Sequence, residues 1–267
     1  MTPAELAHFG LTQVPFSKQV DDGDLWLPPS KVTLIDQMSQ ALHHRQSILL
    51  DGEPGVGKTC VLRALRARLP EANYRLTYCH NASLGRRDFY RQVCMTLDLP
   101  LKATVASLFA EITRHVEDIA SQRKHAILLI DEAHLLHQEV LDHLHILCNY
   151  DWDSKALLSL LLVGLPELRD RLNRKHQRSL NSRISQRFRV EEPDSDDTAH
   201  YLQHRLRLAG VDRDLFTEDA VAMLHEAHRN LRDIGRFAVA AMQVAYAKKR
   251  RLVDRDAVLQ AIRPDEV

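Results

Sequence analysis

A short apolar run, Ser47-Ile48-Leu49-Leu50-Asp51, leads directly into Gly52-Glu53-Pro54-Gly55-Val56-Gly57-Lys58-Thr59. These eight residues match G-x-x-x-x-G-K-[ST] in full, and the motif carries weight because a strand precedes it and a helix, predicted over 57–69, follows. Glycines let consecutive backbone N–H groups turn inward around phosphate oxygens. Lys58 is placed to reach the β- and γ-phosphates, and the Thr59 hydroxyl to ligate Mg²⁺. The predicted helix also points its positive N-terminal dipole at the same anion. Residues 52–59, with Cys60 behind them, form the expected ATP–Mg²⁺ contact set.

Such a loop needs an acidic partner. At 126–130 the chain reads Ala-Ile-Leu-Leu-Ile, a continuous apolar run suited to a strand buried on both faces, and it ends in Asp131-Glu132. Carboxylates at the carboxyl end of a parallel strand lie where ligands bind. Asp131 is expected to hold Mg²⁺ and Glu132 to act as general base on the attacking water. The same stretch spells Asp131-Glu132-Ala133-His134, the signature of a helicase class with two stacked ATPase domains, but one phosphate loop in 267 residues does not supply both. His134, His137, His143 and His145 lie close together with no Cys or acidic set to complete a zinc site, and are read as surface or interface histidines.

Around these motifs the sequence alternates strands (47–51, 74–79, 126–130, 156–163, 188–190) with helices (30–45, 57–69, 86–97, 103–121, 135–148). That alternation predicts a mainly parallel sheet flanked by helices. After Glu191-Glu192-Pro193-Asp194 no strand signal remains, and helical periodicity runs over 195–208, 217–228, 231–249 and 255–262. The expected division is an N-terminal extended segment and helix (1–46), an α/β core (47–193) and a helical lid (194–267).

Lys+Arg and Asp+Glu number 36 each, so no global field draws the chain to nucleic acid or membrane, and any anion site must be local. Cys60, Cys79, Cys94 and Cys148 form no CxxC pair and read as free thiols of a reducing compartment. The first ten residues do not resemble a signal peptide, and no apolar run approaches the ~20 residues of a membrane helix, so a cytoplasmic location without a membrane partner is expected.

Several of these features together resemble the AAA+ ATPases: the phosphate loop, the acidic strand end, and a later strand at 157–163 where that family carries sensor 1. Ser182-Arg183-Ile184-Ser185-Gln186-Arg187-Phe188 looks like the segment bearing an arginine finger, and Asn230-Leu231-Arg232-Asp233-Ile234-Gly235 is similar to the sensor 2 helix. Within that family, Phe9-Gly10-Leu11 with Pro15-Phe16-Ser17, and 162–168 (Leu-Val-Gly-Leu-Pro-Glu-Leu), resemble the group containing ExeA-type secretion ATPases and TnsC/TniB-type regulators of DNA transposition. The resemblance covers roughly 8–245.

It implies a P-loop AAA+ core with a helical lid, Arg232 near the γ-phosphate, and Arg183, with Arg187 second, acting on a neighbouring subunit's nucleotide in a ring or filament. Phe16 and Trp26 become candidate adenine contacts. Arg86, Arg87 and Lys102 become candidate contacts to duplex DNA phosphates, and the run Lys248-Lys249-Arg250-Arg251 can add to them. Leu165 departs from the group, which often has a polar residue there, leaving open slow hydrolysis or a substitute residue. The function implied is an ATPase that assembles on DNA as a homo-oligomer and regulates or recruits a transposase. That choice follows the absence of an appended export or cell-wall domain. The alternatives are a secretion-pathway ATPase and a helicase-loader-like switch with little turnover.

Overall fold

The computed structural model describes residues 1–80 and 82–262. Asn81 of the basic loop and residues 263–267 of the expected lid lie outside the described residues. Two compact units emerge, one comprising 29–52 and 61–190, the other 1–28, 53–60 and the chain from 191 onward.

The first unit is built on five parallel strands, β1 (Ser47–Asp51), β2 (Tyr74–Cys79), β3 (His125–Ile130), β4 (Leu158–Gly164) and β5 (Ile184–Arg189), in the order β2-β3-β4-β1-β5. Position in the sheet follows from side-chain chemistry. The three interior strands, β1, β3 and β4, are buried at every residue. Edge strand β5 alternates, turning Ser185, Arg187 and Arg189 outward, and β2 exposes Arg75 and Tyr78.

Parallel neighbours require helical crossovers. The helices here are α2 (Pro29–His43), α3 (Lys58–Arg68), α4 (Arg86–Thr96), α5 (Val105–Ser121), α6 (Gln138–Leu144), α7 (Glu167–Leu172) and α8 (Arg178–Arg183). Alternate strand residues Leu49, Leu128, Leu160 and Leu162 enter one core with Phe89, Leu108, Ile112, Leu141 and Leu180 of these helices. The intervening Ile48, Leu50, Leu129, Leu161 and Val163 are equally buried and, by the two-residue period, face the opposite side. The register aligns Cys79 with Ile130, Ile130 with Leu162, and Asp51 with both Gly164 and Arg189, so all five strands deliver their carboxyl ends to one edge.

The second unit is helical. α1 (Pro3–Phe9), α9 (Ser195–Leu208), α10 (Glu218–Ala227), α11 (Leu231–Ala247) and α12 (Arg255–Ile262) share a core of Phe9, Leu11, Leu202, Leu206, Leu224, Ile234, Met242 and Val258. The N-terminal segment is fastened to α9. Thr12 N–H donates to Ala209 O at 2.9 Å, and the Arg205 guanidinium donates to Pro15 O at 2.8 Å and to Ser17 O at 2.5 Å. No helix among the described residues is long and apolar enough to cross a membrane.

Some elements differ from the sequence expectation. The stretch 135–148 is broken into a 3-10 turn at Ala133–Leu135, α6, and a second 3-10 turn at His145–Cys148. The last strand starts at Ile184, four residues before the expected 188, because edge strands do not need the apolar run that marks interior ones. α1 starts on a Thr2/Glu5 capping box at a position read only as lacking a signal peptide. Pro29 opens α2, one residue before the expected 30, and Gly85 is the N-cap of α4.

His125, the first residue of β3, is 4% exposed with its Nε2 2.8 Å from the Ser159 hydroxyl. Burial, assisted by the Arg45 charge, pushes its imidazole down to about 4. The unfolded chain, with an ordinary value near ~6.5, therefore takes up the proton first. Stability is complete above about pH 6.5 and is lost as pH falls towards 4. Urea unfolding is expected to show the protein about 2 kcal/mol less stable near pH 5 than near pH 7, with much of that difference removed in His125→Gln.

Candidate nucleotide-binding site

The phosphate loop leaves β1 at the carboxyl edge. Asp51, the last residue of that strand, is fully buried and holds two guanidiniums: Arg169 Nε of α7 lies on Oδ2, and Arg189 Nε of β5 lies 2.8 Å from Oδ1. Arg169 also donates to Phe188 O at 3.5 Å. A buried carboxylate is stable when charge and hydrogen bonds both answer it, as they do here, and the triad fixes the point from which Gly52 departs.

From 53 to 60 the loop belongs to the helical unit. Gly55 and Gly57 take positive φ, 81° and 104°. A Cβ on Gly55 would stand 2.5 Å from Asn230 Oδ1 and 3.1 Å from Arg232 Cβ, so the tip of the loop rests directly on the start of α11. Asn230 is built for that place, since its Oδ1 accepts from Asp233 N–H at 2.9 Å as the helix N-cap. Val56 is fully buried, while the Lys58 ammonium donates to Glu53 O at 2.9 Å within the loop. A cleft of about 490 Å³ opens here, lined by Glu53, Pro54, Glu192, Asn230 and Arg232 among others. Thr59 is exposed.

In the α/β unit Asp131 follows β3 at the same carboxyl edge. Its Oδ1 accepts from Glu132 N–H and its Oδ2 from the Tyr78 hydroxyl, both at 2.9 Å. Loss of water around the partly covered phenol first, and the Asp131 charge second, push Tyr78 up to about 12. Glu132 adopts the left-handed conformation at φ 53° with a half-exposed side chain. Thr59 and Asp131 offer a hydroxyl and a carboxylate, hard oxygen donors of the type Mg²⁺ takes alongside phosphate oxygens. No cluster of three or more His, Cys, Asp or Glu suited to a metal occurs among the described residues.

The basic stretch 169–189 divides by task. Arg169 and Arg189 hold Asp51. Arg171 clamps His134 O at 2.6 Å and Leu136 O at 2.8 Å. Arg187 donates to Asn181 Oδ1 at 2.7 Å. Arg183 ends α8 immediately before β5, at the amino edge of the sheet, paired with Asp153. That aspartate sits in a turn where Asp151, Trp152 and Asp153 all have positive φ, with the Trp152 side chain 99% exposed.

Of the candidate DNA contacts, Arg87 and Lys102 are exposed, Lys102 lying 3.6 Å from Glu111. Arg86 is turned inward, its Nη1 2.8 Å from His143 Nε2. Phe16 and Trp26 both pack on Tyr201, with ring centroids 6.0 and 5.5 Å away. Sequence alone assigned no role of their own to Asp51, Tyr78 and Asn230. A lone acid closing an apolar strand is the signal that could have exposed the first.

The family model described as an AAA domain matches residues 38–172, about half of the chain. The chain belongs to the AAA domain family. Its match therefore takes in the phosphate loop, Asp131 and Glu132. Over 220 residues, 81% of this chain, the AAA protein is 33% identical to the general secretion pathway protein A of Aeromonas hydrophila, of which it spans 40%. Solved structures of like fold include Cdc6p from Pyrobaculum aerophilum (17% identity, TM-score 0.65, 88% of this chain and 68% of that one). Drosophila ORC bound to DNA is another (18% identity, TM-score 0.67, 99% and 67%).

Gly55→Ala tests the loop. A side chain there meets both a left-handed backbone and the Asn230 amide, at a conformational cost of about 1–2 kcal/mol before any clash. Titration with a fluorescent ATP analogue is expected to show affinity reduced by about tenfold or more, since each ~1.4 kcal/mol is a factor of ten.

Proposed function

We propose that this AAA protein binds ATP–Mg²⁺, hydrolyses it, and works as an ATP-gated homo-oligomer on duplex DNA that regulates or recruits a transposase or related recombination protein. The observation that carries the nucleotide part is the seating of Gly55 on Asn230 and Arg232, with the Arg232 Cβ beside the phosphate loop.

In this reading residues 52–60 wrap the phosphates and Lys58 neutralises the β- and γ-oxygens. Thr59 and Asp131 ligate Mg²⁺, which when bound screens the charge of the transferring phosphoryl group. Tyr78 keeps the Asp131 carboxylate oriented. Glu132 takes the proton of the attacking water, and Arg232 approaches the γ-phosphate. Arg183 acts in trans. It immediately precedes a six-residue strand whose far end lies at the loop edge, about 17–20 Å away, beyond the reach of a side chain in the same unit. A neighbouring copy presented head to tail removes that distance.

Support for DNA comes from exposed Arg87 and Lys102 and from the likeness of fold to an ORC solved on DNA; such contacts hold phosphates without reading sequence. A second reading, a secretion-pathway ATPase, is favoured by the 33% identity to general secretion pathway protein A. Electron microscopy of the purified protein with duplex DNA and a non-hydrolysable ATP analogue, beside an ADP control, separates them. Rings or filaments on DNA only with the analogue support the DNA reading, whereas nucleotide binding without a DNA-bound assembly moves the assignment to secretion. Turnover assays add that Glu132→Gln is expected to lower hydrolysis by about a hundredfold or more while keeping ATP bound. Arg183→Ala is expected to spare binding by the monomer and remove the turnover gained on assembly.

A further inference from the structure

Beside the general base stands a histidine that none of the steps above employs. His134 lies in the 3-10 turn Ala133–Leu135, and its Nδ1 faces two groups at once. Leu165 N–H, just past the end of β4, donates to it at 3.4 Å, and Glu132 Oε2 lies 3.6 Å away. The ring is only 14% exposed and is held there from two directions. Arg171 fixes the backbone of the turn through His134 O and Leu136 O. Gly164 gives the ring its room: a Cβ at that position would meet His134 N at 3.1 Å and His134 Nδ1 at 3.2 Å.

We propose that His134 is a positioning residue for Glu132, its Nδ1 exchanged between the end of β4 and the catalytic carboxylate. While Nδ1 accepts from Leu165 N–H it has no proton of its own, and in the neutral ring the proton sits on Nε2. The other tautomer places the proton on Nδ1, releases Leu165 N–H and donates to Glu132. One nitrogen therefore serves either the strand end or the carboxylate. Leu165 has no polar side chain, so its backbone N–H is what this edge offers the ring. Glu132, half-exposed on a left-handed residue, has in the ring the neighbour that limits where its carboxylate can swing.

The inference rests on the reading of Glu132 as the base, and the test separates the two. Binding of a non-hydrolysable ATP analogue and single-turnover hydrolysis are measured for the unaltered protein, Glu132→Gln, His134→Ala, His134→Asn and Gly164→Ala, each checked for a cooperative melt. His134→Ala is expected to slow hydrolysis about tenfold to a hundredfold, the range for groups that orient a catalytic ligand, with analogue affinity little changed. His134→Asn, whose amide sets an oxygen or an N–H near the Nδ1 position, is expected to recover most of the rate. Gly164→Ala, which displaces the ring without removing it, is expected to fall between, and with His134→Asn it carries the test if His134→Ala does not fold. A His134→Ala rate equal to the unaltered protein's overturns the inference and leaves Glu132 as base. Equal slowing in the Ala and Asn variants overturns it too, since bulk alone then matters. Hydrolysis unaffected by Glu132→Gln removes the base itself, and this inference with it.

Discussion

Asp51 is the point on which the α/β unit is organised. It is a fully buried carboxylate at the end of a wholly apolar strand, and it is tolerable there because guanidiniums from α7 and β5 meet it. Those two arginines tie three successive pieces of chain to one oxygen pair. The residue after Asp51 is the first glycine of the phosphate loop, so the origin of the loop inherits the rigidity of the ion triad. Side-chain positions in a phosphate site must be held to fractions of an ångström, and a paired charge in a low-dielectric setting is one way a fold provides that.

How far the sequence disclosed this depends on the physics of each element. β1, β3 and β4 are buried on both faces, and that condition writes itself as unbroken apolar runs, so their placement and the parallel sheet were legible. The edge strand β5 has no such mark: only its end, from Phe188, reads as strand, and the polar alternation from Ile184 to Arg187 does not. α7 and α8, six residues each, are too short for helical periodicity to show. The phosphate loop and the Asp131-Glu132 pair were legible because local chemistry fixes their spacing. The partners that orient them were not. Tyr78 reaches Asp131 across 53 positions, His134 reaches Leu165 across 31, and Asp51 reaches Arg189 across 138.

The arginines show the same limit. Eight basic residues between 169 and 189 look alike as a charged stretch, and a single sequence treats them as one population. Structure sorts them: two neutralise a buried acid, one staples a turn by its carbonyls, one pairs with an aspartate at the opposite edge of the sheet. Only residues whose charge is not already spoken for by a buried partner remain candidates for ligands, which narrows the functional question more than any count of positive charge does.

β5 closes one side of the sheet with Ser185 and Arg187 exposed and the Arg189 head group engaged on Asp51. An edge strand carrying charged and polar side chains is a poor template for a further strand. Pairing of two copies along β5 is thereby disfavoured, a mode of association that is hard to undo.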